Sequence, residues 1–132
     1  MKITPDTNVL VRAVVRDDVK QAKSASKLLK EAEIIAISLP SLCEFVWVLR
    51  RVYNFDQQAI SAAIKALLDA GNVQVNRQAV EAGLAILKEG GDFADGIIAY
   101  EGSWLGGEIF ASFDKKAVSL LAKQGNETRL LT

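Results

Sequence analysis

Apolar positions change their period repeatedly along the chain, and each change marks a boundary between a strand and a helix. Lys2 to Thr4 is short and alternating, is followed by Asp6-Thr7-Asn8, and gives way to a helical pattern through Leu10, Val14 and Val15. From Val19 to Ala32, Ala22, Ala25, Leu28, Leu29 and Ala32 recur at helical spacing while Lys20, Lys23, Lys27 and Lys30 line another face. Ile34 to Leu39 is β-branched and apolar and reads as a strand covered on both faces. Pro40 and Ser41 then open a helix whose Leu42, Phe45, Val46, Trp47, Val48, Leu49 and Val52 leave little polar circumference, so more than one face should be covered, part of it by another chain. The alternation continues with a helix capped by Asp56 and ending at Ala70, and a strand at Val73 to Val75. Helices follow at Arg77 to Glu89 and Phe93 to Leu105, closed by Gly90-Gly91 and Gly106-Gly107. A strand at Glu108 to Ser112, a helix at Lys115 to Gln124 and a strand at Thr128 to Leu131 complete the pattern.

Strands alternating with helices predict an α/β fold, three-layer α/β/α, in which helices cover both faces of a mainly parallel central sheet. The 132 residues and 50% hydrophobic content suit a single domain over residues 1–132. No repeat or low-complexity segment interrupts the pattern. Without an apolar run of spanning length, and with no basic-then-apolar start, the expected location is the cytoplasm and no membrane contact is expected.

Composition narrows the chemistry more sharply than the fold does. The chain has no histidine and one cysteine, Cys43. That removes Ser/His/Asp and Cys/His catalysis, histidine general bases, ordinary zinc sites and any internal disulfide. Net charge is zero, so nucleic acid is not implied by overall charge. Setting four acids aside as ligands leaves sixteen basic residues against twelve acids, enough for a local phosphate-binding rim.

Four acids fall where an open α/β sheet places its ligand crevice, outside the carboxyl ends of strands. Asp6 ends the first strand, Glu44 opens the helix after the second, Asp95 lies in the first turn of the helix after Gly90-Gly91, and Asp114 follows the strand ending at Ser112. Each also has a structural explanation. Ser41-Leu42-Cys43-Glu44 has the form of a capping box, Asp114 and Asp6 suit N-caps, and Asp92 and Asp95 suit the N-cap and N3 positions. Asp6 is the least easily dismissed, because an acid ending an apolar strand needs a partner.

The motifs containing these acids carry a family resemblance. Asp6-Thr7-Asn8-Val9-Leu10, Leu42-Cys43-Glu44-Phe45-Val46-Trp47-Val48-Leu49, Gly91-Asp92-Phe93-Ala94-Asp95-Gly96-Ile97-Ile98-Ala99 and Ala111-Ser112-Phe113-Asp114-Lys115-Lys116 resemble, in order, the four acidic motifs of PIN domains, especially toxins of the VapC kind. The resemblance spans essentially the whole chain. Pro5 departs from it, standing where a small residue with a backbone N–H is usual. By this resemblance Asp6, Glu44, Asp95 and Asp114 form an acidic quartet that binds metal and carries catalysis, Asn8 and Ser112 support it, and Asp92 is an outer acid.

An all-oxygen donor set favours Mg²⁺ or Mn²⁺. The implied reaction is hydrolysis of an RNA phosphodiester, leaving 5′-phosphate and 3′-hydroxyl ends. Asp6 is the foremost candidate for direct metal contact. Arg12, Arg16, Lys115 and Lys116 are the candidate phosphate contacts, whereas the Lys20, Lys23, Lys27, Lys30 stripe reads as a solvated face. Cys43 and Trp47 read as packing residues. The resemblance further implies a VapB-like antitoxin as partner, and a positive mean hydropathy of +0.17 together with the apolar third helix suggests a homodimer. Competing readings are an RNA-processing PIN nuclease without a toxin role, a Mg²⁺-dependent phosphatase, which would want a second acid where Asn8 stands, and a non-catalytic binding module.

Overall fold

In the computed structural model, which describes residues 1–132, the chain divides into two compact units, Met1–Asn76 and Arg77–Thr132. The first contains β1 (Lys2–Ile3), α1 (Thr7–Val14), α2 (Val19–Glu31), β2 (Ile34–Ala36), α3 (Leu39–Arg51), α4 (Gln57–Asp69) and β3 (Val73–Gln74). Its sheet runs β1-β2-β3, all parallel, with Ile3 opposite Ile35 and Ile35 opposite Val73. β2 is the middle strand; Ile35 and, just beyond the strand, Ile37 are buried on one face, while Ile34 and Ala36 on the other are half-buried, so the cover expected on both faces is complete on one.

Helices in this unit begin where a side chain can take up free N–H groups. Asp18 accepts from Gln21 N at 3.0 Å and Asp56 from Ala59 N at 2.8 Å. At the far end of α2, Asn72 donates through Nδ2 to Leu29 O at 3.0 Å and Ala32 O at 2.9 Å, satisfying carbonyls the helix leaves open. The four lysines of α2 are all exposed while Ala22 and Ala25 are buried, the amphipathic division read from the sequence.

The start of α3 differs from expectation. Ser38, not Ser41, is its N-cap, with Oγ accepting from Ser41 N at 3.3 Å, and Pro40 sits in the first turn, where its missing N–H costs no helical bond. The expected Ser41-to-Glu44 capping box is therefore not formed. The strand before it stops at Ala36 because Ser38 already belongs to the cap. α3 buries one face, Leu42, Phe45, Val46 and Leu49. Trp47 and Val52, on a helix whose cover was expected to come partly from another chain, are 59% and 57% exposed in the single chain.

The second unit contains α5 (Arg77–Lys88), α6 (Phe93–Trp104), β4 (Phe110–Ser112), α7 (Lys115–Lys123) and β5 (Thr128–Leu130). β4 and β5 pair in parallel, Phe110 opposite Thr128 and Ser112 opposite Leu130. α7 carries the chain between them, as a parallel pair requires a crossover. Leu120 and Leu121 of α7 pack with Ile86 of α5, and Ala99 of α6 and Phe110 of β4 lie against that cluster. Gly90, at φ +87°, ends α5 in the left-handed conformation that an L side chain resists, while Gly91 N returns to Ile86 O at 2.9 Å.

All strand pairing is parallel and the class is α/β, as the alternating pattern predicted. The hydrogen-bonded ladders are short, two or three residues per strand, and group as three strands in the first unit and two in the second.

Candidate active site

Asp6 follows Pro5 and opens α1. Its backbone is extended, φ −68° and ψ 157°, and its Oδ1 accepts from Thr7 N at 2.7 Å. β1 has already ended at Ile3, so Pro5, which is buried, removes no ladder bond. Thr7 is the buried polar residue of the chain, and its Oγ1 donates to Oε2 of Glu44 at 3.3 Å. The first turn of α1 thus holds one carboxylate by its backbone and steers a second through its hydroxyl.

Asn8 makes no side-chain hydrogen bond to either acid. It lines a groove of about 360 Å³ with Val9, Arg12, Gln21, Ser24, Ala25 and Leu28, bounded by α1 and α2. Arg12 and Arg16, expected to meet phosphate, are both engaged within the unit. Arg12 Nη1 pairs with Asp17 Oδ1 at 2.8 Å, Asp17 Oδ2 accepts from Tyr53 Oη at 3.2 Å, and Arg16 Nη1 donates to Ser26 Oγ at 3.1 Å.

In the second unit Asp92 is the N-cap of α6, with Oδ1 accepting from Ala94 N at 3.2 Å. Asp95 is the third residue of that helix, half-buried, with no capping bond of its own. Burial, then the negative charge of Asp92, then that of Asp114, pushes its carboxyl above the ordinary value of 3.8. Asp114 caps α7, its Oδ1 accepting from Lys116 N at 2.9 Å and Ala117 N at 3.1 Å. Ser112 supports it in a specific way: its Oγ accepts from the backbone N of Asp114 at 2.9 Å and so sets the turn. Lys115 and Lys116 are exposed, with Lys116 Nζ reaching over Gly90.

What places Asp95 is a helix crossing that needs glycine on both sides. A Cβ on Gly96 would run into the carbonyl of Ala82 and stand 2.7 Å from Gly83 Cα, and one on Gly83 would stand 2.8 Å from the Phe93 ring. α5 and α6 can approach this closely only because both positions lack a side chain. Gly96 and Thr7 both stand inside the acidic motifs, although nothing there marks the Thr7 hydroxyl as a partner of Glu44; Gly83 lies outside them.

The donor set suits a hard divalent cation: it is all carboxylate, and Asp95 is held against two neighbouring acids whose repulsion a cation would relieve. The set is not a finished cage. No three His, Cys, Asp or Glu side chains stand close enough as they are to hold a metal together, and Asp6, Asp92 and Asp114 each give an oxygen to a helix cap.

Residues 3–121 match the family model described as PIN domain. The chain belongs to the PIN domain family. No curated protein matches it. PIN domains are typically Mg²⁺-dependent nucleases acting on RNA, and the family together with the parallel strands bears out the three-layer α/β/α class expected from the sequence. No helix of this PIN domain is long and apolar enough to cross a membrane.

Proposed function

We propose that this PIN domain is a metal-dependent endoribonuclease and the toxin of a VapBC-like pair, with Asp6, Glu44, Asp95 and Asp114 as its catalytic quartet in a single domain. The observation that carries the reading is Asp95, a half-buried carboxylate free of any cap and pressed by two others, inside the third of four acidic motifs that fall in family order within the matched residues. Perturbed carboxylates of this kind are characteristic of catalytic positions.

The quartet would hold Mg²⁺ or Mn²⁺. When bound, the ion supplies positive charge against the developing charge on the phosphodiester and lowers the pKa of the attacking water. The chain's own residues position and accept. Thr7 Oγ1 orients Glu44, the Ser112 hydroxyl sets the backbone of Asp114, and Asp95, half-buried and not engaged in a cap, takes the proton from the attacking water at a carboxylate oxygen. Water adds to phosphorus, the bond to the 3′ oxygen breaks, that oxygen takes up a proton from solvent, and the products are a 3′-hydroxyl and a 5′-phosphate. Lys115 and Lys116 are the free cations for phosphate contact beside Asp114.

A small antitoxin, a homodimeric state and a cytoplasmic location belong to the same proposal. Co-expression with the neighbouring gene product tests the toxin role: the account expects growth arrest from this chain alone and relief by its neighbour, and growth unaffected by the active chain alone would leave only the nuclease.

A further inference from the structure

Trp47 is the feature of the first unit that the proposed chemistry leaves unused. It lies on α3 three residues beyond Glu44, with Arg51 four residues further on, so the three side chains share one face of the helix. All three are exposed, as is Arg50 beside them, while the opposite face carries the buried Leu42, Phe45, Val46 and Leu49. A 59% exposed indole is unusual on a helix with its own buried apolar face. No other ring packs on it, since the ring pair of the chain is Tyr100 with Trp104. Neither Arg50 nor Arg51 is paired with a carboxylate.

The stripe therefore presents, in order, an acid, a bare aromatic face and two free guanidinium groups. At about 1.5 Å rise per residue, the indole stands roughly 4.5 Å and Arg51 roughly 10 Å along the axis from Glu44. A bare ring followed by unpaired cations is the combination that holds single-stranded nucleic acid, whose bases offer π faces and whose backbone offers charge.

We propose that this face of α3 is the track along which single-stranded RNA runs beside Glu44, one base stacking on Trp47 and the adjoining phosphates pairing with Arg51 and Arg50. The proposal rests on the ribonuclease reading. It deepens that reading by assigning substrate contacts to residues outside the acidic motifs' charged positions. Two unpaired guanidinium groups favour a polyanion over a second copy of the chain, so the homodimer of the proposed function would form through another surface, and a second copy on this face is kept as an outcome of the test.

The test uses the chain with Trp104→Phe, which leaves Trp47 as the single tryptophan, and Asp95→Asn to stop cleavage. A single-stranded RNA octamer is titrated with Mg²⁺ present, read by Trp47 emission, and in parallel by anisotropy of a labelled copy. The expected result is saturable quenching of Trp47, an affinity about five- to hundredfold weaker for Trp47→Ala, and near-normal affinity for Trp47→Phe. Arg51→Gln is expected to reduce the slope of log affinity against log salt by about one contact. RNA that binds while Trp47 emission and the Trp47→Ala affinity stay unchanged overturns the track and leaves the ribonuclease reading standing. Absence of both RNA binding and cleavage by the unaltered chain overturns both. Trp47→Ala turning a dimer into a monomer in sedimentation, with RNA affinity unchanged, assigns the face to a second copy and overturns the track.

Discussion

The Thr7 hydroxyl donates to Oε2 of Glu44 at 3.3 Å, joining the residue after the first motif acid to the acid of the second across 37 positions of sequence. Because Thr7 is 92% buried by its 8% exposure, that hydroxyl has few alternatives. Replacing Thr7 by Val keeps the shape and removes the donor. Thr7→Val is expected to cost about 1 kcal/mol and to slow RNA cleavage, while Thr7→Ser restores the rate. Thermal melts with single-turnover cleavage check this, and equal rates for Val and Ser would remove the hydroxyl from the account.

The crossing of α5 and α6 makes a contrasting pair of glycine predictions. Gly96→Ala drives a methyl into the Ala82 carbonyl and is expected to destabilise by about 1 to 3 kcal/mol, carrying Asp95 with it. Gly102→Ala, on the same helix with nothing within 4 Å, is expected to stabilise by up to about 1 kcal/mol. Urea denaturation of both variants gives the comparison directly.

Asp95 binds its proton more tightly in the folded chain than in the unfolded one, because burial and then Asp92 and Asp114 raise its pKa. Its contribution to stability is therefore complete below 3.8 and is lost as pH rises through the raised folded value. Asp95→Asn, which cannot ionise, should be more stable than the parent at neutral pH without metal, by at most about 1 kcal/mol given the partial exposure. The difference should vanish in acid. Parent and variant melting alike at neutral pH would mean that the carboxylates do not strain one another.

Asp92 has a separate duty as the cap of α6. Asp92→Ala is expected to cost about 1 kcal/mol of stability and to leave most cleavage in place. Loss of activity without loss of stability would move Asp92 into the reacting group.

Much of this was legible in the sequence because it is local. Asp6, Asp56, Asp92 and Asp114 cap the helices their positions suggested, and the order of strands and helices follows the change of apolar period. What was not legible depends on partners distant in sequence or on a close choice between neighbours. Ser38 and Ser41 are equally plausible caps until Pro40 is placed, and choosing Ser38 frees Glu44 from the capping box. Nothing in the local pattern marks Arg12 as paired; in the structure it meets Asp17, whose other oxygen accepts from Tyr53. Trp47 looked like packing because an apolar residue on a helix gives no sign of which face will stay bare. Gly83 resembles any helical glycine until Phe93 and Gly96 are set against it.

The central claim is tested most directly by single-turnover cleavage of a single-stranded RNA by the purified chain, with Mg²⁺ and then with EDTA, alongside Asp95→Asn. The account predicts cleavage with Mg²⁺ that leaves 5′-phosphate ends, none with EDTA, and a loss of at least about a hundredfold in Asp95→Asn with the fold intact. Cleavage that persists in EDTA, or an Asp95→Asn variant that cuts at the parent's rate, would contradict it.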